Sequence, residues 1–183
     1  VPGKQLNDSV YARVKEKYPN ASGPLLVHRL DMSTSGILMI AKSKEVHKLM
    51  QAQFLRKKIQ KSYVALLEGF IEKNEGEIDL PLRGDFDDRP KQLVCHEFGK
   101  AAKTKFRVLS RDAGTTRVLF SPLTGRTHQL RVHAAHHLGL GCPIIGDDLY
   151  GKKSTRLYLH AQELIFIHPI SKKEQIIYCK APF

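Results

Sequence analysis

The chain has 183 residues, 42% hydrophobic and 26% charged, and its 30 Lys and Arg outnumber 18 Asp and Glu to give a formal net charge of +12. That length fits one domain that buries most of the surface its unfolded form exposes, with no need of a disulfide or metal staple. No apolar run reaches membrane-spanning length, and no apolar core follows Val1-Pro-Gly-Lys4 to make a signal peptide. Three widely spaced cysteines (Cys95, Cys142, Cys179) suit free thiols in a reducing compartment, so a cytoplasmic protein is expected. The positive excess favours a polyanionic partner, nucleic acid being the commonest, over a basic pI without functional meaning.

Residues 8–18 read as a helix with Val10, Tyr11 and Val14 on one side, broken by the Pro- and Gly-containing stretch 19–24. Residues 37–41 read as a buried strand. Ser43 can N-cap a helix to about residue 56, with Glu45 in its first turn and Val46, Leu49, Met50 and Phe54 on one apolar face. Its far end is strongly basic (Arg56, Lys57, Lys58, Lys61). Beyond it β character dominates, with strands predicted over 62–67, 93–97, 104–109, 116–121, 158–168 and 175–180 and a turn-rich loop at 84–90. A second helix is predicted over 127–138, ended by Gly139 and Gly141. Few strands are joined through helical crossovers, which argues for an α+β fold: a mixed, mostly antiparallel sheet with flanking helices.

Two segments stand out chemically. In His28-Arg-Leu-Asp-Met-Ser-Thr-Ser-Gly36, Asp31 can cap its own loop by accepting backbone N–H groups. Local chemistry alone favours that capping role; the alternative is a working carboxylate, held on a rigid element and kept ionised by a basic neighbour, Arg29. In Leu123-Thr-Gly-Arg-Thr-His-Gln-Leu-Arg-Val-His133, Thr127 can N-cap the helix. Arg126 would then stand at its positive end, in an anion site for an RNA phosphate or for a carboxylate such as Asp31, or simply in solvent. Arg131, about one turn on, reads as a phosphate contact or a solvated helix charge. His133, His136 and His137 have helical spacing with His128 one turn earlier, but no nearby Cys or Glu completes a ligand set, so no metal site is expected. Tyr63 on its strand is a packing residue or a platform for a stacked base.

Together these segments resemble the RluA family of RNA pseudouridine synthases. The family pattern H-R-L-D-x-x-T-S-G stands complete at His28 to Gly36, K-x-Y-x-A at Lys61, Tyr63 and Ala65, and G-R-x-H-Q-I/L-R-x-H at Gly125 to His133. Gly146-Asp-Asp-Leu-Tyr-Gly151, Leu157 to Ala161 and Lys180-Ala-Pro182 follow in the family's order. A finer similarity, carried by Asp85 to Gln92, Val94 to Glu97 and Gly99-Lys100, is to the large-subunit subtype that modifies both ribosomal and transfer RNA. The family usually has a strand ending in K-P-x-G ahead of the Val-Pro-Gly that opens this chain. The resemblance therefore implies a single catalytic domain over 1–183 without that first strand and without an added S4 domain.

The reaction implied detaches uracil from C1′ of its ribose, turns it and rejoins it through C5, needing no cofactor and no metal. Asp31 is implied as the catalytic carboxylate, attacking C1′ or abstracting a sugar proton, much as carboxylates manage cationic sugars in glycosidases. Arg126 is implied as its ionic partner, Tyr63 as the residue beside the uracil, and Leu159 as an apolar wall of the base pocket. Uracil within a stem-loop must be flipped out, and Arg29 is expected to enter the vacated space. His28, Lys57, Lys58, Lys61, Gln129 and Arg131 are expected to contact RNA, the lysines as salt-sensitive phosphate partners. The expected partner is 23S-type ribosomal RNA, transfer RNA or both, bound by a monomer away from any membrane. The rivals are a catalytically silent RNA-binding module, a base-excising glycosylase and a histidine-dependent ribonuclease.

Overall fold

The computed structural model describes residues 8–183; Val1-Pro-Gly and its neighbours lie outside the described residues. In chain order come helix α1 (Val10–Lys17), strand β1 (Ser35–Gly36), helix α2 (Lys44–Leu55) and strands β2 (Gln60–Glu68), β3 (Glu75–Asp79), β4 (Leu82–Gly84), β5 (Gln92–Val94), β6 (Lys103–Asp112) and β7 (Thr115–Pro122). Helix α3 (Gln129–Ala135) and strands β8 (Leu159–Ile167) and β9 (Glu174–Tyr178) complete it. Both N-terminal helices begin on a serine whose hydroxyl satisfies a first-turn donor: Ser9 accepts from Ala12 N at 3.2 Å and Ser43 from Val46 N at 3.3 Å. Among the described residues, no helix is long and apolar enough to cross a membrane.

The chain divides into two compact units. The first takes in the described residues up to Arg29, with Leu38–Ile59 and Phe166–Gln175. Its buried apolar side chains are Ala21, Leu25, Val27, Ala41, Met50 and Ile59. Of the apolar face predicted for α2, Met50 is buried and Val46 and Phe54 are half-buried, while Leu49 is exposed. The predicted buried strand over 37–41 does not form. Its regular pairing stops at Gly36, and beyond that the segment is held by single contacts: Ile37 N–H to Ala161 O (2.9 Å), Met39 N–H to the His28 ring (2.8 Å), a bridge of Ile40 to Leu26 and the bond from Ala41 N to Leu25 O (2.8 Å). Ile37 to Ile40 are all half-buried.

The second unit comprises Leu30–Ile37, Gln60–Ile165 and Ile176–Phe183. Its sheet runs in the order β1-β8-β2-β7-β6-β3, with β9 also pairing β8. The β1–β8 pair is parallel; the registered pairs β2–β7, β2–β8, β3–β6 and β6–β7 are antiparallel. The fold is thus α+β with a mixed, mostly antiparallel sheet, as the scarcity of helical crossovers implied. Period-two alternation builds the core: Thr116, Val118 and Phe120 of β7 are fully buried, and they face Leu67, Ala65 and Tyr63 of β2 in register. Phe106, Leu130, Ile144 and Leu159 close this core. A separate two-stranded ribbon, β4–β5, pairs Leu82 with Val94 and joins a smaller cluster with Ala102, Val132 and Tyr150.

The remaining differences are local. The strand predicted over 93–97 is confined to Gln92–Val94, because residues 96–98 form a turn closed by Gly99 N to Cys95 O (2.9 Å). The helix predicted over 127–138 is shorter, Gln129–Ala135; its N-cap is His128, not Thr127, in the left-handed region (φ 53°) and with no side-chain cap bond.

Candidate active site

The loop carrying Asp31 belongs to the sheet unit. Asp31 is half-buried, and its carbonyl accepts the Thr34 N–H (3.0 Å) to close a turn that leaves Met32 fully in solvent. The loop is then clamped to β8: Ser35 and Gly36 run parallel with His160 and Ala161, and Ile37 N–H donates to Ala161 O at 2.9 Å. Gly36 has φ 110°, and a Cβ there would overlap the Ala161 carbonyl, so the close approach requires glycine. A side-chain clamp reinforces it. Arg156 Nη2 donates to Ser35 Oγ (2.7 Å), and Ser35 O–H donates to Nδ1 of buried His160 (2.9 Å), whose Nε2–H donates to Cys179 O (3.1 Å).

The charge of Asp31 is felt at three other groups of the same unit. Tyr63 on β2 lies between Phe120 and Ala161 in register. Burial first, and the Asp31 charge second, push its hydroxyl up to about 12. Arg131 of α3 is 4% exposed and forms a two-pronged pair with fully buried Asp147, Nε at 2.8 Å and Nη2 at 2.6 Å, with Asp148 at 3.0 Å. Burial works against its charge, but the hydrogen bonds and charge of Asp147, then Asp31 and Tyr150, raise its pKa overall. Tyr150 lies with its ring 5.3 Å from the Arg131 guanidinium carbon. Its hydroxyl accepts Gln92 N–H (2.7 Å) and bonds His128 Nδ1 (2.8 Å). Burial pushes Tyr150 up to about 12, the Gln92 N–H and Arg131 working against it and Asp147 and Asp31 with it. A carboxylate, a neutral phenol and a locked guanidinium are therefore assembled around one locus.

Several expected roles change. Arg126 is exposed and donates from Nε to Ala101 O (3.0 Å); among the described residues it makes no ion pair with Asp31. The reason is the start of α3. Without a Thr127 cap, the backbone N–H of Arg126 is taken by Gln129 Oε1 (3.0 Å), which removes it from any anion site. The charge of Asp31 does act on Arg131. Arg131 is in turn neither solvated nor open to a phosphate, being buried against Asp147. Gln129, expected on RNA, is 4% exposed with its amide fully used: Nε2 donates to Lys103 O and Thr104 Oγ1, and Oε1 accepts from Thr124 and Arg126. Leu159 is 2% exposed inside the main core and presents no wall to a base. His28 turns inward in its own unit, where Nε2 accepts Met39 N–H (2.8 Å) and the ring stacks on Phe54 at 5.1 Å. His133, fully buried, spends both ring nitrogens on Thr104 (3.0 Å) and Leu80 O (3.2 Å). Arg29, Lys57 and Lys58 are exposed as expected. Lys61 is half-buried, its ammonium beside Gly125, and burial lowers its pKa.

The residues that sequence reading left unassigned are Ser35, His160, Asp147 and Tyr150. All four stand inside the motif segments, but their roles depend on pairings between segments 16 to 125 residues apart, as in Arg131–Asp147 and Ser35–His160.

Residues 2–136 match the family described as RNA pseudouridylate synthase. The chain is 44% identical over 191 residues to the dual-specificity RNA pseudouridine synthase RluA of Yersinia pestis, covering 100% of this chain and 90% of that protein. It is 45% identical over 178 residues to the protein of the same name from Vibrio cholerae, covering 93% and 70%. Among solved structures it is similar to human RNA pseudouridylate synthase domain containing 1, with a TM-score of 0.81 at 30% identity over 96% of this chain and 75% of that one. The chain belongs to the RNA pseudouridylate synthase family, and its reaction is the isomerisation of uridine to pseudouridine in RNA.

Proposed function

We propose that Asp31 is the catalytic carboxylate of this isomerisation, that Tyr63 flanks the reacting uracil and that Arg131, rather than Arg126, fixes the electrostatics of the site. The observation that carries the proposal is that the charge of Asp31 acts on Tyr63, Arg131 and Tyr150 together. The N1–C1′ bond breaks, the C5–C1′ bond forms, the proton on C5 leaves and N1 gains one, so substrate and product are isomers. Asp31 can manage the sugar either by attack at C1′ or by taking a sugar proton. A phenol with pKa about 12 stays protonated at neutral pH, so Tyr63 serves as ring and hydroxyl relay rather than as a standing phenolate base. Exposed Arg29, Lys57 and Lys58 draw in the phosphate backbone of the RNA.

The substrates proposed are stem-loops of both 23S-type ribosomal RNA and transfer RNA, in line with the dual-specificity relatives. The chain acts as a monomer in this reading. Its three free cysteines favour the reducing cytoplasm. The test is release of tritium to water from ribosomal and transfer RNA transcripts labelled at uridine C5. The parent should release it from both with RNA length unchanged, and Asp31→Ala from neither. Release by Asp31→Ala, or cleavage of the RNA, would remove Asp31 from its role.

A further inference from the structure

The loop between β4 and β5 carries an exposed aromatic ring that the Asp31 site does not use. Phe86 is 70% exposed at the ribbon's turn. The guanidinium carbons of Arg83 and Arg89 lie 5.5 and 5.7 Å from its ring centroid. The turn beneath it is built firmly: Asp85 Oδ1 accepts the N–H groups of Asp87 and Asp88 at 3.1 and 3.3 Å, and Asp85 N–H donates to Lys91 O at 2.9 Å. The ribbon's other strand is tied to the candidate active site, because Gln92 N–H donates to the hydroxyl of Tyr150, which the charge of Asp31 reaches. A phenylalanine left 70% exposed on such a turn, tied to the candidate active site, is costly in water and takes no part in a hydrophobic core of its own fold.

The charge balance identifies what it is for. Residues 83–91 contain Arg83, Arg89 and Lys91 against Asp85, Asp87 and Asp88, and Lys91 is already paired with Asp88 at 2.7 Å. A segment whose charges cancel is a poor phosphate clamp. What it presents is a largely exposed π-surface with two guanidinium groups over it, 5.5 and 5.7 Å from its centre, the kind of surface that binds an unstacked nucleobase: the base stacks on the ring or on a guanidinium, and arginine N–H groups meet its edge. We propose that Phe86, with Arg83 and Arg89, forms a subsite for an unpaired nucleobase of the substrate RNA, one other than the uridine that is isomerised. This rests on the reading of the chain as an RNA-modifying enzyme and adds to it a determinant of which stem-loops are accepted. A stem-loop with an unpaired base at the right distance from the target uridine stacks that base on Phe86, which a paired region cannot do.

The probe is a transfer-RNA stem-loop transcript, labelled at uridine C5, on which the unaltered enzyme releases tritium and Asp31→Ala does not. That control tests the enzyme reading alone. Binding of the same RNA is then compared for the parent, Phe86→Ala, Phe86→Leu and Phe86→Trp. Base–aromatic stacking predicts that Ala and Leu weaken binding by roughly 5- to 150-fold and that Trp restores it. The slope of log K against log salt should stay unchanged for Phe86→Ala, because stacking releases no counterions. A series of RNAs, each with one loop nucleotide made abasic, should contain one position at which the losses from Phe86→Ala and from the missing base no longer add. Binding by Phe86→Ala within about twofold of the parent, recovery by Leu, a shallower salt slope, or additivity at every loop position would each overturn the subsite while leaving the enzyme reading intact. The ring is exposed, so these substitutions leave the core untouched.

Discussion

The buried Arg131–Asp147 pair should be the costliest element of the site to break, and unequally so from its two sides. Asp147 is fully buried and accepts four hydrogen bonds, from Arg131 Nε and Nη2 and from the N–H groups of Leu149 and Tyr150 at 3.1 Å each. Removing Arg131 leaves the carboxylate two backbone donors. Removing Asp147 leaves the guanidinium its bond to half-exposed Asp148 and the charge of Asp31, and also orphans two N–H groups. Breaking one partner of a buried pair costs about 3–5 kcal/mol. Arg131→Met should fall near the lower end, about 3 kcal/mol, and Asp147→Leu near the upper, about 5 kcal/mol. The double variant Arg131→Met/Asp147→Leu should cost less than Asp147→Leu alone, since no uncompensated charge then remains. Urea denaturation followed by circular dichroism reads these values directly, and tritium release from the folded fraction reads the site. The double variant should be stable yet inactive, because Asp31 has lost the cation its charge acts on. Additive losses in the double variant, or full activity in it, would refute the reasoning.

Other changes separate positioning from stability. Gly36→Ala forces a Cβ against the Ala161 carbonyl at φ 110° and should cost about 1–3 kcal/mol of stability while displacing the Asp31 loop; tritium release per folded molecule should drop as well, and unchanged release would show that the β1–β8 clamp does not position Asp31. Tyr63→Phe keeps the ring and loses the hydroxyl, so kcat should fall by about 10²-fold or more with KM little changed; an effect on KM alone would confine Tyr63 to binding. The hydroxyls of Tyr63 and Tyr150, both pushed to about 12 against an ordinary value near 10, favour the protonated folded state. Their contribution is therefore complete below pH 10 and lost as pH rises through 12, which tyrosinate absorbance and urea midpoints measured across that window would record as late titration with falling stability. Replacing exposed Lys57 and Lys58 by Ala should weaken RNA binding for all sequences alike and reduce the salt slope by about one for each phosphate no longer neutralised.

What could be read from the sequence was what lies in one segment. The Asp31 loop, the serine cap of α2, Tyr63 on a strand and the antiparallel sheet all follow from local pattern. The edge strand β3 did not, because Glu75, Gly76, Glu77 and Asp79 have poor strand propensity; it pairs with β6 where Lys103 bridges Glu77 and Asp79 at 2.9 and 3.0 Å. The start of α3 was misread for a related reason. Thr127 looks like a cap, yet Gln129 from inside the helix reaches back to Arg126 and across to Lys103 and Thr104, and His128 takes a left-handed conformation to allow it. With the helix starting at Gln129, Arg126 lies outside it and exposed, while Arg131 is buried on it against Asp147.

The same shift explains how a chain of net charge +12 can use arginine in two incompatible ways. An arginine that attracts RNA must stand in solvent, where its field is screened within about 10 Å at moderate salt and its contacts exchange freely. An arginine that sets the field at a carboxylate must be shielded and immobile, or water and counterions would answer for it. Arg29 and Arg126 are exposed, as the first kind must be. Arg131, 4% exposed and held through Nε and Nη2 by Asp147, belongs to the second. Asp147 makes that possible by neutralising the guanidinium enough to bury it, and Tyr150 lies against it on the side that leads to the β4–β5 ribbon. Motif position ranks the two arginines of Gly125 to His133 alike; burial and the identity of the partner carboxylate tell them apart.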